Sequence, residues 1–221
     1  MLPEPKFTAV DAALYQYLLA HRSPDDEVVR ELREETARLG GWAVMQIAPD
    51  QGSFLRLLVA AIGAKSAIEV GTFTGLSSLS IARGLPKEGR LLCLDVSEEW
   101  TAVARGAWAK AGVADRIELR IAPAAETLRA LPDEPTFDFG FIDADKKSYP
   151  IYWDEIVRRL RPGGLIAVDN VLWEGDVVRP EEQGEDVVAI RAFNERVLAD
   201  RRVESVMLAI ADGLTLARKL A

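Results

Sequence analysis

The sequence predicts an α/β fold: a doubly wound, mostly parallel seven-stranded sheet with an antiparallel last strand, preceded by N-terminal helices. Three observations lead there. From residue 52 onward, helical patterns alternate with short β-branched or aliphatic runs, the order that builds a parallel sheet through right-handed crossovers. The last two apolar runs, Val203 to Ile210 and Leu214 to Lys219, are joined by Ala211-Asp212-Gly213, an Asp-Gly turn that suits a hairpin and reverses the final strand. The 221 residues, 49% hydrophobic, can bury a substantial core, and they read as one domain (1–221) whose first 50 residues form a helical extension.

Taken in order, residues 8–22 and 25–39 predict two amphipathic helices separated by Ser23-Pro24, with Ser23 as cap and Pro24 opening the second. Gly40-Gly41 stops that helix. Helix 51–62 leads to strand 66–70, helix 75–84 to strand 90–95, and helix 98–111 to strand 116–121. Helix 123–131 then leads to strand 137–142, helix 147–160 to strand 164–169, and helix 184–199 to the hairpin. A reversed strand at the end of a parallel sheet departs from the dinucleotide-binding pattern and points to the class I methyltransferase, Rossmann-like fold.

Composition removes several function classes. A net charge of −8 and a pI near 4.9 offer no basic stripe for nucleic acid. The longest apolar stretch, Leu57 to Ala64, is too short to span a bilayer, and the first residues lack an apolar signal core, so no membrane partner is expected. The single Cys93 cannot form an internal disulfide and sits in an apolar run, which suits a buried thiol and a reducing cytoplasm. His21 is the only histidine, so a His dyad or a His-rich metal site is excluded; a solvated helix end explains it.

Glu69-Val-Gly71-Thr-Phe-Thr-Gly75 follows the first strand and opens a helix, where a glycine turn lets a ligand approach the backbone. The spacing is G-x-x-x-G behind an acid, not G-x-G-x-x-G. A pyrophosphate wants bare amides, whereas the methionine end of S-adenosylmethionine carries an ammonium and a sulfonium that Glu69 can help neutralise, with Ser77 available to its carboxylate. Asp95, ending the second strand, is placed to accept from ribose hydroxyls, and Ala122-Pro-Ala124 leaves a slot for adenine. Each feature alone is ordinary turn chemistry; together they favour a nucleoside cofactor.

Asp143 follows the fourth strand, and Asp169-Asn170 follow the fifth. Adjacent strands lie about 4.8 Å apart, so these side chains can converge on one ion. All three offer oxygen, which favours a hard dication, Mg²⁺ first and Ca²⁺ next, over Zn²⁺. Asp145 as a helix cap and Asp169-Asn170 as a turn are the plain alternatives. Three protein oxygens leave roughly three octahedral positions, enough for a vicinal diol and a water. A chelated catechol could then be methylated on one oxygen, with Asp143 and Lys146 as the catalytic pair and Lys146 as candidate base, since a nearby dication favours the neutral amine. A solvated helix-start lysine is the plain alternative for Lys146.

These residues resemble the cation-dependent O-methyltransferases of the caffeoyl-CoA and catechol type. The resemblance runs from Asp11-Ala-Ala-Leu-Tyr-Gln-Tyr through Met45-Gln-Ile-Ala-Pro-Asp-Gln-Gly52, Glu69 to Gly75, Phe141-Ile-Asp-Ala-Asp-Lys146 and Asp169-Asn-Val-Leu-Trp-Glu-Gly175 to Asp212-Gly-Leu-Thr215. It implies a homodimer, S-adenosylmethionine as donor, and a divalent cation, Mn²⁺ included, at Asp143, Asp169 and Asn170. It further implies that Ile47, through its backbone, Gly71, Thr72, Ser77, Asp95, Ala124 and Asp145 line the cofactor site. Lys6 matches a basic residue that in plant members lies near the acyl-CoA. Trp173 and Glu174 fall on the acceptor side, and Glu174 departs from the Asn of the plant enzymes.

Between Glu174 and Asp186, six acids stand against only Arg179, a segment that would repel the phosphates of CoA at short range. A small catechol-bearing acceptor is therefore expected rather than its CoA thioester. Two alternatives stay open on residues alone: a nicotinamide oxidoreductase, disfavoured by the glycine spacing, and a non-catalytic binder of S-adenosylmethionine.

Overall fold

The computed structural model describes residues 7–221. Five parallel strands form the centre of the sheet: β1 (Ser66–Val70), β2 (Arg90–Asp95), β3 (Ile117–Ile121), β4 (Phe137–Ile142) and β5 (Leu160–Val168). The hairpin of β6 (Val203–Leu208) and β7 (Leu214–Lys219) completes the order β3-β2-β1-β4-β5-β7-β6, with β7 antiparallel to both its neighbours. Four strand ranges, β1, β2, β4 and β7, match the expected ones residue for residue.

Two helical layers bury the two faces. Strand alternation sends Ala67 and Glu69 of β1 one way and Ile68 and Val70 the other. The first face packs under α3 (Pro49–Ala61), α4 (Leu76–Gly84) and α5 (Glu98–Lys110), with Leu55, Leu79 and Trp108 in its core. The second packs under α6 (Ala124–Ala130), α7 (Tyr149–Arg159) and α8 (Glu185–Ala199), around Trp153, Ile156 and Phe193. A register shift between Phe137 and Phe139 turns Phe137 toward the second layer while Phe139 and Phe141 stay in the first. The same irregularity explains why β5 begins at Leu160, not 164: Phe137 pairs Leu160, Phe139 pairs Leu165, and the Arg161-Pro-Gly-Gly stretch loops out between them.

The N-terminal helices are shorter than the sequence predicts. The first, α1 (Ala12–Ala20), is capped by Asp11, whose Oδ1 accepts from Leu14 N at 2.8 Å. The second, α2 (Glu27–Ala37), is capped by Asp26 through Val29 N at 3.0 Å, not by Ser23. Pro24 lies outside it, in a turn where Arg22 pairs with Asp25 at 2.6 Å. Tyr15 of α1 donates to Asp50 Oδ1 at 3.0 Å, setting α1 across the end of α3 and over the carboxyl ends of the strands.

Candidate active site

A large cleft of about 1620 Å³ opens at the carboxyl ends of β1, β2, β4 and β5, where ligands bind in open α/β sheets. Of the sequence-predicted site residues, Ile47, Gly71, Thr72, Ser77, Asp95, Ala124 and Asp145, the set expected at a cofactor, all line it, as do Asp143, Lys146, Asp169, Asn170, Trp173 and Glu174, the set expected at a cation and acceptor. Glu69 is not on the lining, and Lys6 lies outside the described residues.

The glycine turn is built by close approach. Gly71 has φ +88°, and a Cβ there would sit 1.7 Å from the carbonyl oxygen of Asp143, so the β1 turn and the β4 loop can touch only through a glycine. Asp95 holds the turn from the side: Oδ2 accepts from Thr72 N at 2.8 Å and Phe73 N at 2.9 Å, while Oδ1 accepts from Val96 N and Ser97 N at 2.7 and 2.8 Å. Four amides already meet this carboxylate, so a ribose would have to share it. Beneath the turn, Glu69 is 0% exposed, and neither carboxylate oxygen finds a well-formed hydrogen bond among the described residues. Burial pushes its carboxyl up to about 7, and the nearby Ser77, Thr72 and Cys93 only partly offset this. Phe73 and Trp100, in edge contact at 5.1 Å between ring centroids, wall the cleft beside this turn.

At the other half, Lys146 is the hub. It is 8% exposed, and Nζ donates to Asn170 Oδ1 at 2.7 Å, Asp143 Oδ1 at 3.2 Å and Tyr149 Oη at 2.6 Å. Three acceptors around one nitrogen use every proton of an ammonium. Tyr149 Oη in turn donates a hydrogen bond to the carbonyl of Asp169 at 3.2 Å, and burial followed by the charge of Asp143 keeps this phenol neutral, well above its ordinary range. Asp169 is 3% exposed and accepts from Asn170 N at 2.7 Å. Burial, then the neighbouring charge of Asp143, raises its carboxyl far above the usual carboxylate range. Asp145 does not cap a helix by side chain; its Oδ1 accepts from Tyr152 Oη at 2.6 Å.

Two carboxylates thus face one ammonium in a buried space. Among the described residues no group of three or more His, Cys, Asp or Glu side chains gathers as a metal site; the donors here are two carboxylates and one carboxamide. Gln51, 0% exposed, also lines this cleft; its side chain lies near enough to Asp169 to favour that carboxylate, yet neither of its polar atoms makes a well-formed hydrogen bond among the described residues. An oxygen-rich, under-neutralised pocket with an orphaned amide fits a hard dication.

Three contributors were not singled out by sequence reasoning. Tyr149 stands three residues after Lys146, a spacing that brings side chains together on a helical turn. Gln51 was visible only as part of a motif, and Asp212 only as a turn residue. The acidic segment also proves more neutral than its composition: Asp176 pairs with Arg179 at 2.8 Å and Glu185 with Lys147, leaving Glu174 and Asp186 on the cleft.

A 3-2-1-4-5-7-6 sheet with this glycine turn after β1 and an acid ending β2 defines a class I, S-adenosylmethionine-dependent methyltransferase. The chain belongs to the O-methyltransferase family, whose profile matches residues 20–220. It is 43% identical over 212 residues to "Probable caffeoyl-CoA O-methyltransferase 1" of Dictyostelium discoideum, covering 94% of this chain and 92% of that one. It is 38% identical to the mouse (Mus musculus) "Catechol O-methyltransferase domain-containing protein 1", covering 95% and 81%. The crystal structure of the Bacillus cereus O-methyltransferase in complex with SAH superposes with a TM-score of 0.85 at 35% identity, covering 94% and 97%. The chain is therefore an S-adenosylmethionine-dependent O-methyltransferase. That replaces the nicotinamide oxidoreductase and non-catalytic alternatives.

Proposed function

We propose that this enzyme requires a divalent cation, Mg²⁺ first, and transfers the methyl group to one hydroxyl of a small vicinal diol of the catechol type. The observation that carries this reading is the shared hub: Lys146 bonds Asp143 and Asn170 together, and Asp169, one residue from Asn170, lies buried beside them with one backbone amide on its carboxyl. Asp143, Asp169 and Asn170 would hold the dication. Bound there, it would acidify a chelating phenol and fix its oxygen.

The chain's own residues do the rest. With a dication beside it, Lys146 would lose a proton to solvent, and Nζ, then the amine, takes the phenolic proton; the oxygen lone pair forms the new O–C bond as the S–C bond breaks and leaves a neutral thioether. Tyr149 Oη keeps that nitrogen in place at 2.6 Å. Gly71, Thr72, Ser77, Asp95, Ala124, Asp145 and the backbone of Ile47 are assigned to the cofactor, Glu69 to the support of the glycine turn from beneath, and Trp173 to the wall against which the aryl ring packs. Glu174 and Asp186 face the acceptor space, a charge pattern that favours a free catechol over a CoA thioester. The caffeoyl-CoA relative supports the second reading, a thioester acceptor, for which Lys6 is the candidate contact.

Competitive turnover of free caffeate against caffeoyl-CoA separates the two. Preference for caffeate is expected; a strong preference for the thioester would refute the small-acceptor reading. A homodimer in the cytoplasm belongs to the same proposal: α1 buries none of its nine residues despite the sequence AALYQYLLA, and Tyr17, Leu18, Trp42 and Val44 stand exposed nearby in the chain. No helix among the described residues is long and apolar enough to cross a membrane.

A further inference from the structure

The turn between β6 and β7 reaches across the sheet edge to the cation donors. We propose that Asp212 is a positioning residue that decides which way the Asn170 carboxamide faces, keeping Asn170 Oδ1 turned toward Asp143 and Asp169. The inference rests on the reading of Asn170 as a cation donor.

A carboxamide presents an oxygen at one corner and an NH₂ of nearly the same size at the other, so shape alone does not choose between the two orientations. Hydrogen bonds must. Here Oδ1 meets Lys146 Nζ, which can only donate, and Nδ2 meets Asp212 Oδ2, which can only accept, at 3.2 Å. Flipping the amide would set donor against donor on one side and acceptor against acceptor on the other. The root of the side chain is already fixed, because Asn170 sits at φ +57° with its amide on Asp169 Oδ1 at 2.7 Å. Orientation of the amide is the freedom that remains. Lys146 approaches the very oxygen that a cation would use, so Asp212 is the bond that selects the orientation independently of how that oxygen is engaged.

Asp212 is itself well held. Its Oδ1 accepts from Glu174 N at 2.6 Å, its carbonyl accepts from Leu172 N at 3.0 Å, and Gly213 O accepts from Val171 N at 3.2 Å. The left-handed Gly213 packs so closely on Leu172 that a Cβ there would lie 2.4 Å from Leu172 Cγ. One turn therefore clamps the whole Asn170–Gly175 strap, in which Asn170, Trp173 and Glu174 all have positive φ. Partners that orient a metal ligand are commonly worth 10–100-fold in metal affinity.

Two substitutions separate orientation from mere support of the strap. Asp212→Asn keeps an oxygen for Glu174 N but turns an NH₂ toward Asn170 Nδ2, which forces the flip; Asp212→Ala removes the acceptor without opposing it. Mn²⁺ alone is titrated into the full chain, with free Mn²⁺ followed by electron paramagnetic resonance, and Tm is read for each variant. The expected result is Mn²⁺ affinity weakened by about 10–100-fold in Asp212→Asn and by less in Asp212→Ala, with the order of Tm loss reversed. SAH affinity should be unchanged in both. The proposal is overturned if Asp212→Asn binds Mn²⁺ within about threefold of wild type, if Asp212→Ala is the weaker binder, or if the isosteric Asp212→Asn fails to fold. A wild-type chain that binds no Mn²⁺ would instead sink the cation reading itself, with this inference.

Discussion

Asp95 and Asp169 are the same residue type at the same rim, one ending β2 and the other just past β5, yet their charges are met in opposite ways. Four backbone amides surround the carboxylate of Asp95. Asp169 takes one amide, faces a second carboxylate, and is buried. The first is a structural anion whose work is to hold the glycine turn open for a cofactor. The second is a carboxyl whose charge is costly as it stands, the arrangement expected where a bound cation would supply the missing positive charge. Within one cleft, the completeness of local neutralisation separates the half that is shaped from the half that is charged.

Cutting the charged half should have the largest effect. Asp143→Ala removes one cation donor and one acceptor of Lys146, and turnover of a catechol acceptor is expected to fall by on the order of 10³-fold, about 4 kcal/mol in the barrier. SAH affinity measured by calorimetry should stay within a few-fold, because the cofactor half is built elsewhere. Equal loss of both would erase the distinction between the halves.

The reciprocal cut is Asp95→Asn. Its NH₂ would face two amide donors, so SAH affinity should drop by roughly tenfold and the fold should lose about 1–3 kcal/mol in denaturant titration. Mn²⁺ affinity should hold, since none of the four amides belongs to the β4 or β5 loops. A Mn²⁺ defect of similar size would mean that the turn and the donors are one unit.

Glu69 provides the smallest and most gradual test. Its folded carboxyl titrates near 7 against an ordinary 4.5, so between those values the folded chain binds more protons than the unfolded one. Its stabilising contribution is therefore complete below about pH 4.5 and declines as pH rises through 7, by about 1–3 kcal/mol. Glu69→Gln should remove that slope in unfolding experiments between pH 5 and 8, and a variant that keeps the slope would assign it to another group.

The fold was legible because period and punctuation agree in most elements. β1, β2, β4 and β7 are apolar runs bounded by turn residues, and the Asp212-Gly213 turn reversed the last strand as expected. The ends of the N-terminal helices were not: Ser23-Pro24 offers a cap signal, but Asp26 reaches Val29 N and wins, which depends on which side chain the turn leaves free. In the site, strand order fixed that Asp143, Asp169 and Asn170 share a rim. What the sequence could not express were bonds between loops, such as Lys146 to Asn170 and Asp212 to Asn170, because they arise only once β5 pairs with β7. Glu69 shows the converse: an acid ahead of a glycine turn reads as a cofactor contact, yet strand alternation sends it into the core beneath α4.

The need for a cation is tested most directly by stripping the enzyme with chelator, assaying methyl transfer to a catechol, and titrating Mn²⁺ back into wild type and Asp169→Asn. One Mn²⁺ per chain, activity that returns in step with it, and loss of both in Asp169→Asn are the expected results. Undiminished turnover in excess chelator would contradict the account.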